Sequence, residues 1–236
     1  MLSTNSSASE PAAQKISLSL DTTSPRDFEP DPSELALCSS LTDFADAYGS
    51  DKGSIKHNYT RWYEHYLAHL KGEFFSLAEI GVACGSSLKM WSTYFPNATI
   101  DGFDIRHETK GLAAGYPNIN ITVSDCTKAQ FENLYDVIID DGSHVSADIL
   151  DAFNLQFSRL KPGGFYFIED TFCTFNPRYP ALLPFDVPKE RFDRTWYITL
   201  VDALLRDLDS NPKSVIESIN FHPQLAVIKR KRDDHQ

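Results

Sequence analysis

Short apolar runs alternate along this chain with stretches whose apolar residues return every three or four positions. The runs Phe74–Val82, Ala98–Ile105, Ile119–Val123, Tyr135–Ile139 and Phe165–Ile168 predict five strands. Helical spacing predicts helices over Ser40–Tyr48, Thr60–Leu70, Ser86–Tyr94, Ala147–Leu160 and Thr195–Leu208. Lys161-Pro162-Gly163-Gly164 reads as a helix stop and turn. Ser214–Phe221 and Leu225–Lys229 predict two more strands. Their link, His222-Pro223-Gln224, is too short for a parallel crossover and implies an antiparallel hairpin. Repeated β-α units with strands this apolar imply an α/β fold around a buried, mostly parallel sheet. Thr171–Arg194 is rich in Pro and Phe without a period, which suits a loop or lid over a site.

The polar residues at the strand ends carry the candidate chemistry. Tyr135–Ile139 runs into Asp140-Asp141-Gly142-Ser143-His144, and Phe165–Ile168 runs into Glu169-Asp170. Carboxyl ends of adjacent parallel strands face one crevice, where ligands bind. Packed carboxylates repel unless a cation or proton intervenes, so this cluster calls for a divalent metal, a base, or both. The first strand ends in Glu79-Ile80-Gly81-Val82-Ala83-Cys84-Gly85, an acid before a Gly-x-x-x-Gly turn. That differs from the Gly-x-Gly-x-x-Gly dinucleotide fingerprint. An acid there repels a pyrophosphate and suits an ammonium group; the plainer reading is a tight strand-helix turn. Asp104 ends the second strand, where an acid accepts ribose hydroxyls or caps a helix. Asp125 in Ser124-Asp125-Cys126 suits a cap for the Thr127 segment.

The 236 residues suit one domain with a tail, and 42% hydrophobic with 12% aromatic content suits a packed core. The formal net charge of -11 argues against a nucleic-acid partner, which needs clustered Lys and Arg. Lys229-Arg230-Lys231-Arg232 beside Asp233 and Asp234 reads as a solvated tail. Cys38, Cys84, Cys126 and Cys173 are scattered and no apolar leader opens the chain, so a reducing, cytoplasmic setting without a disulfide framework is expected. No apolar run is long enough to span a bilayer. Composition predicts a disordered tail over 1–34, a single domain over 35–230 and a charged tail over 231–236. A homodimer is expected only because symmetric pairs are the commonest assembly.

The Glu79-x-Gly81-x-x-x-Gly85 turn resembles the first motif of the class I methyltransferases that use S-adenosylmethionine. Ile139-Asp140-Asp141-Gly142-Ser143-His144 with Ile168-Glu169-Asp170-Thr171 resembles the metal-dependent macrocin and mycinamicin sugar O-methyltransferases. Tyr48-Gly49-Ser50-Asp51-Lys52-Gly53, His57-Asn58-Tyr59, Tyr63-Glu64, Ser86–Trp91, Tyr94-Phe95-Pro96 and Leu160–Gly164 extend the likeness over roughly Leu41–Thr171. The resemblance implies a Rossmann-like methyltransferase fold with a seven-stranded sheet. It implies Asp141, Glu169 and Asp170 as Mg²⁺ ligands and His144 as general base, with Asp141 beside it in the catalytic pair. Glu79, Gly81 and Gly85 match the methionine end of the cofactor site and Asp104 its ribose site. Asp125 and Cys126 fall near the adenine. Asp140 is placed on the cofactor side, as a support residue. His57, Tyr59 and Tyr63 lie near cofactor and acceptor in that family, or form an aromatic stripe packing a helix on the sheet.

The family pattern fades after Thr171, where an acceptor would be gripped. Phe172, Arg178 and Arg194 are candidate acceptor contacts, in a loop that also holds Phe175, Tyr179, Phe185, Lys189 and Arg191. Aromatics with several Arg and Lys suit an anionic acceptor. The expected activity is methyl transfer to a small-molecule oxygen in specialised metabolism, with a hydroxyl acceptor, a metal and a His base. Methyl-ester formation on a carboxylic acid without metal is the rival. A nicotinamide oxidoreductase and a non-catalytic cofactor-binding protein are the readings from other classes.

Overall fold

The computed structural model describes residues 29–183 and 186–233. Its seven strands are β1 (Ser76–Ile80), β2 (Thr99–Asp104), β3 (Ile119–Val123), β4 (Tyr135–Asp140), β5 (Leu160–Ile168), β6 (Ile216–His222) and β7 (Leu225–Arg230). They form one sheet in the order β3-β2-β1-β4-β5-β7-β6. The first five pair in parallel, and β7 pairs antiparallel with both β5 and β6. The expected sheet with its closing hairpin is therefore present. Strand order reverses between β1 and β4, and that opens the crevice at their carboxyl ends.

Among the described residues six α-helices accompany the sheet: α1 (Pro32–Leu35), α2 (Leu41–Ala47), α3 (Thr60–Leu67), α4 (Ser86–Tyr94), α5 (Ser146–Gln156) and α6 (Thr195–Ser210). Side chains alternate between the two faces of a strand, so each strand feeds two cores. Leu77, Val137, Ile139, Phe167 and Val227 pack under α2, α3 and α4 with Tyr63, Leu88 and Trp91. Ala78, Ile138, Tyr166 and Ile228 pack on the other face with Ile149 and Phe153 of α5 and Leu200 and Leu204 of α6. Full burial of such a side chain contributes roughly 1.5–3 kcal/mol. Ser40 starts α2 with a capping box: its hydroxyl accepts from Asp43 N, and the Asp43 carboxylate accepts from Ser40 N.

The structure departs from expectation at Lys161–Gly164. α5 ends at Gln156, a 3₁₀ turn covers Phe157–Arg159, and the chain is already strand from Leu160. Pairing with neighbouring chain wins over the local turn signal: Gly163 N donates to Lys231 O at 3.1 Å, and Arg230 donates to the Leu160 carbonyl. A Cβ on Gly164 would stand 2.6 Å from the Asp136 carbonyl, so the glycine permits this close pairing. Order also begins before residue 35, because Asp31 caps α1 and Glu29 contacts Lys89 and Tyr116. The rest of the expected N-terminal tail, residues 1–28, lies outside the described residues, as do 184–185 and 234–236. No helix among the described residues is long and apolar enough to cross a membrane.

Candidate active site

Period-two alternation splits Asp140 from Asp141, whereas Asp170 lies past the end of β5. Glu79, Asp141 and Glu169 continue the face of Leu77, Ile139 and Phe167, and they meet around one side chain, Lys52. The Lys52 ammonium is fully buried. It lies 2.5 Å from Asp141 Oδ2, 3.0 Å from Glu169 and 3.5 Å from Glu79 Oε1. Burial works against its charge, yet the carboxylates of Asp141, Glu169 and Glu79 hold its pKa well above the ordinary value. Burial pushes the carboxyls of Glu79, Asp141 and Glu169 upward, and Lys52 opposes that rise in each.

Gly81 turns the chain out of β1 with φ +91°. A Cβ there would stand 2.0 Å from the Asp141 carbonyl oxygen, so only glycine lets the β1 and β4 ends approach this closely. Gly85 precedes α4 at φ +82°, against Leu112. Glu79 Oε2 accepts from Trp91 Nε1 at 2.8 Å, while Oε1 has no hydrogen-bond partner. Asp104 ties β2 to this turn: Oδ2 accepts from Val82 N at 3.0 Å and Ala83 N at 3.2 Å. Arg106 folds onto the same carboxylate, and together these donors outweigh burial and lower its pKa.

Asp141, His144 and Asp170 each present a ligand atom within 4.8 Å of the others. His144 Nε2 lies 3.7 Å from Asp141 Oδ1 and 3.5 Å from Asp170 Oδ2. His144 and Asp170 sit at φ +54° and +52°, a left-handed conformation that costs non-glycine residues about 1–3 kcal/mol and clusters at functional sites. Glu169 stands behind this trio. Lys52 and the Tyr63 hydroxyl engage both of its oxygens. Tyr59 donates to Asp170 Oδ1 at 2.5 Å, and His57 stacks on Tyr59 with Nδ1 3.2 Å from Gln224 Oε1.

Other expected residues lie apart from this cluster. The Asp140 carboxyl turns to the opposite face, where burial pushes it up to about 7 and Oδ2 finds no partner. The Cys126 side chain is buried in the core under α5. Asp125 accepts from Thr127 N at 3.0 Å and pairs with Lys128, the capping role. Phe172 is partly exposed, with its ring 6.4 Å from that of His57. Arg178 and Arg194 are exposed on the loop surface. The basic residue engaged here is Arg191, which binds Asp148 and Asp151 of α5 and so anchors the loop. Tyr179 donates to the Ser143 carbonyl at 2.7 Å, with its ring 6.2 Å from that of His144.

Sequence reading gave no role to Lys52 or Gln224. Lys52 lies within a motif that marked the family likeness, but a lone lysine in a polar segment carries no signal of burial. Gln224 is in the β6–β7 turn and reaches the site only because β7 pairs beside β5.

No protein-family model matches the chain. Among curated proteins, it is 32% identical over 214 residues to 8-demethyl-8-alpha-L-rhamnosyl tetracenomycin-C 2'-O-methyltransferase of Streptomyces olivaceus, covering 81% of this chain and 54% of that protein. It is 34% identical over 144 residues to L-olivosyl-oleandolide 3-O-methyltransferase of Streptomyces antibioticus, covering 56% of this chain and 37% of that protein. Thus the chain spans about half the length, or less, of these relatives. Among solved structures, MycE methyltransferase of the mycinamycin pathway, in complex with Mg, SAH and mycinamycin VI, superposes with a TM-score of 0.69. The identity is 24%, over 84% of this chain and 56% of that one. In sequence the chain is similar to the sugar O-methyltransferases of the macrocin and mycinamicin group, and it shares the fold of a methyltransferase of that group.

Proposed function

We propose that this chain is an S-adenosylmethionine-dependent O-methyltransferase domain acting with Mg²⁺ on a hydroxyl of a small molecule in specialised metabolism. The observation that carries the reading is the trio Asp141, His144 and Asp170 at the carboxyl ends of β4 and β5, next to the Glu79–Gly85 turn. The residues fit both groups. Glu79 Oε1 is fully buried, accepts no hydrogen bond and has the Lys52 ammonium 3.5 Å away, so it lies where a cation is favoured and suits the ammonium of an amino-acid end, and Gly81 keeps the backbone open beside it. Hard carboxylate oxygens suit Mg²⁺. Asp104 suits the ribose, and Asp125 after β3 borders the adenine side.

When bound, the cofactor supplies an electrophilic methyl and the metal lowers the pKa of a coordinated hydroxyl. Asp141 and Asp170 would hold the ion, with Glu169 behind them as a third carboxylate. His144 Nε2 takes the hydroxyl proton. His57, Phe172 and the loop of Tyr179 border the acceptor and orient it for in-line attack, with Tyr59 buried behind His57. The relatives act on antibiotic sugars, so a glycoside hydroxyl is the first acceptor to try. We further read the chain as one domain over 35–230, cytoplasmic and without a nucleic-acid partner on its charge and composition, and as a homodimer because symmetric pairs are the commonest assembly.

Labelled cofactor and a panel of glycosides, diols, phenols and carboxylic acids test the reading. Transfer to a hydroxyl, lost in EDTA and restored by Mg²⁺, is expected. Full turnover in EDTA rejects the metal, and base-labile methyl esters as the sole products reject the hydroxyl acceptor.

A further inference from the structure

The two aspartates in front of His144 are held in the same way. Asp141 has Oδ2 tied to Lys52 and Oδ1 3.7 Å from His144 Nε2. Asp170 has Oδ1 tied to Tyr59 and Oδ2 3.5 Å from the same nitrogen. Both donors come from one upstream segment that also supplies Tyr63 to Glu169. We propose that Lys52 and Tyr59 are positioning residues. Each ties down the rear oxygen of one aspartate, so that the front oxygen faces the space before His144 Nε2 where a divalent cation binds. This rests on the metal-dependent reading above.

Three observations support it. Lys52 and Tyr59 are 0% and 1% exposed, so neither donor can swing into water. Asp170 and His144 both have left-handed backbones, a strained conformation that clusters at ligand and active sites. One ammonium against the carboxylates of Glu79, Asp141, Glu169 and Asp170 leaves the site acidic, with room for further positive charge. A carboxylate already fixed in its ligating orientation loses less freedom on binding metal, and outer-shell partners of metal ligands commonly contribute 10–100-fold in affinity.

The test is Mn²⁺ titration of the whole chain, followed by electron paramagnetic resonance without acceptor, for wild type, Tyr59→Phe and Lys52→Met. Tyr59→Phe keeps the buried ring and removes only the hydroxyl. Its Mn²⁺ affinity is expected to fall by about tenfold or more. Its S-adenosylhomocysteine affinity should stay within about twofold, so that the loss is specific to the metal. Lys52→Met is expected to weaken Mn²⁺ as well. If it does not fold, Tyr59→Phe alone decides. Unchanged or tighter Mn²⁺ binding by Tyr59→Phe overturns the proposal while leaving a metal-binding wild type intact. Tighter binding by Lys52→Met makes the lysine a competing charge and overturns its half. A wild-type chain that binds no Mn²⁺ overturns the metal reading itself.

Discussion

Asp136 and Asp140 stand near the two ends of β4 and meet opposite surroundings. Asp136 accepts from Ser76 N at 2.8 Å, Ser76 Oγ at 2.9 Å and Lys161 Nζ at 2.8 Å. Burial pushes its carboxyl up, but Lys161 and Ser76 outweigh burial and hold it below the ordinary value. Asp140 is buried deeper, receives a backbone hydrogen bond from Gly142, keeps Oδ2 unpartnered and is pushed up to about 7. The amino edge of the sheet is electrically closed. The carboxyl edge, where Asp141, Glu169 and Asp170 adjoin Asp140, keeps an excess of acid around one lysine. A stable fold needs the first arrangement and tolerates the second only where something else is gained. The contrast in charge is the physical ground for proposing chemistry at the carboxyl edge.

The largest effect that sharpens this contrast is expected from His144→Gln. It should lower kcat by about 10²–10⁴-fold, the usual worth of a positioned base, while calorimetry still shows S-adenosylhomocysteine binding. Unaltered kcat would move the base elsewhere. Glu79→Gln comes next: it removes the buried charge facing the proposed ammonium, and cofactor affinity should drop about tenfold, as for loss of a charge-assisted hydrogen bond. Gly81→Ala drives a Cβ against the Asp141 carbonyl and strains a φ of +91°. A loss of about 2 kcal/mol is expected, lowering the melting midpoint by roughly 4–8 °C, with activity reduced in parallel. A thermal scan with the midpoint unmoved would mean that the β1 and β4 ends separate easily.

Asp136→Asn is the smallest and serves as the control at the closed edge. It should cost about 1 kcal/mol of stability and leave turnover unchanged. The sign of its pH dependence follows from the lowered carboxyl. The contribution is present above the unfolded carboxylate range, about pH 4, and is lost as pH falls through the folded value. The melting difference between wild type and Asp136→Asn should accordingly shrink between about pH 5 and pH 3. A difference that persists at low pH would assign the effect to packing instead of charge.

Much of this was legible in the chain. Strand positions follow from short apolar runs and helix positions from the 3.6-residue period, and six of the seven strands match the expected runs to within two residues, β5 being the exception. That strand begins at Leu160 because Gly163 and Gly164 serve close pairing with β4 and the C-terminal strand, which local composition reads as a turn. The candidate acids were legible from their place at strand ends. What the two acidic pairs do was not. Adjacent residues on a strand point to opposite faces, so Asp140 and Asp141 part company although their sequence context is the same. The basic loop also read differently: Arg191 binds α5, whereas Arg178 and Arg194 face solvent.

By itself the sequence determined the layered α/β fold, the antiparallel closing hairpin, the glycine turn after Glu79 and the acids and histidine that end β4 and β5. These are local properties, set by side-chain periodicity and backbone conformational preference. Only the tertiary structure decided which charges meet. Lys52 reaches Asp141 and Glu169 from 89 and 117 residues away, and Gln224 reaches Tyr59 across 165. Such contacts depend on strand order and on which face each side chain takes, and a burial that removes an ammonium from water leaves no trace in the residues beside it.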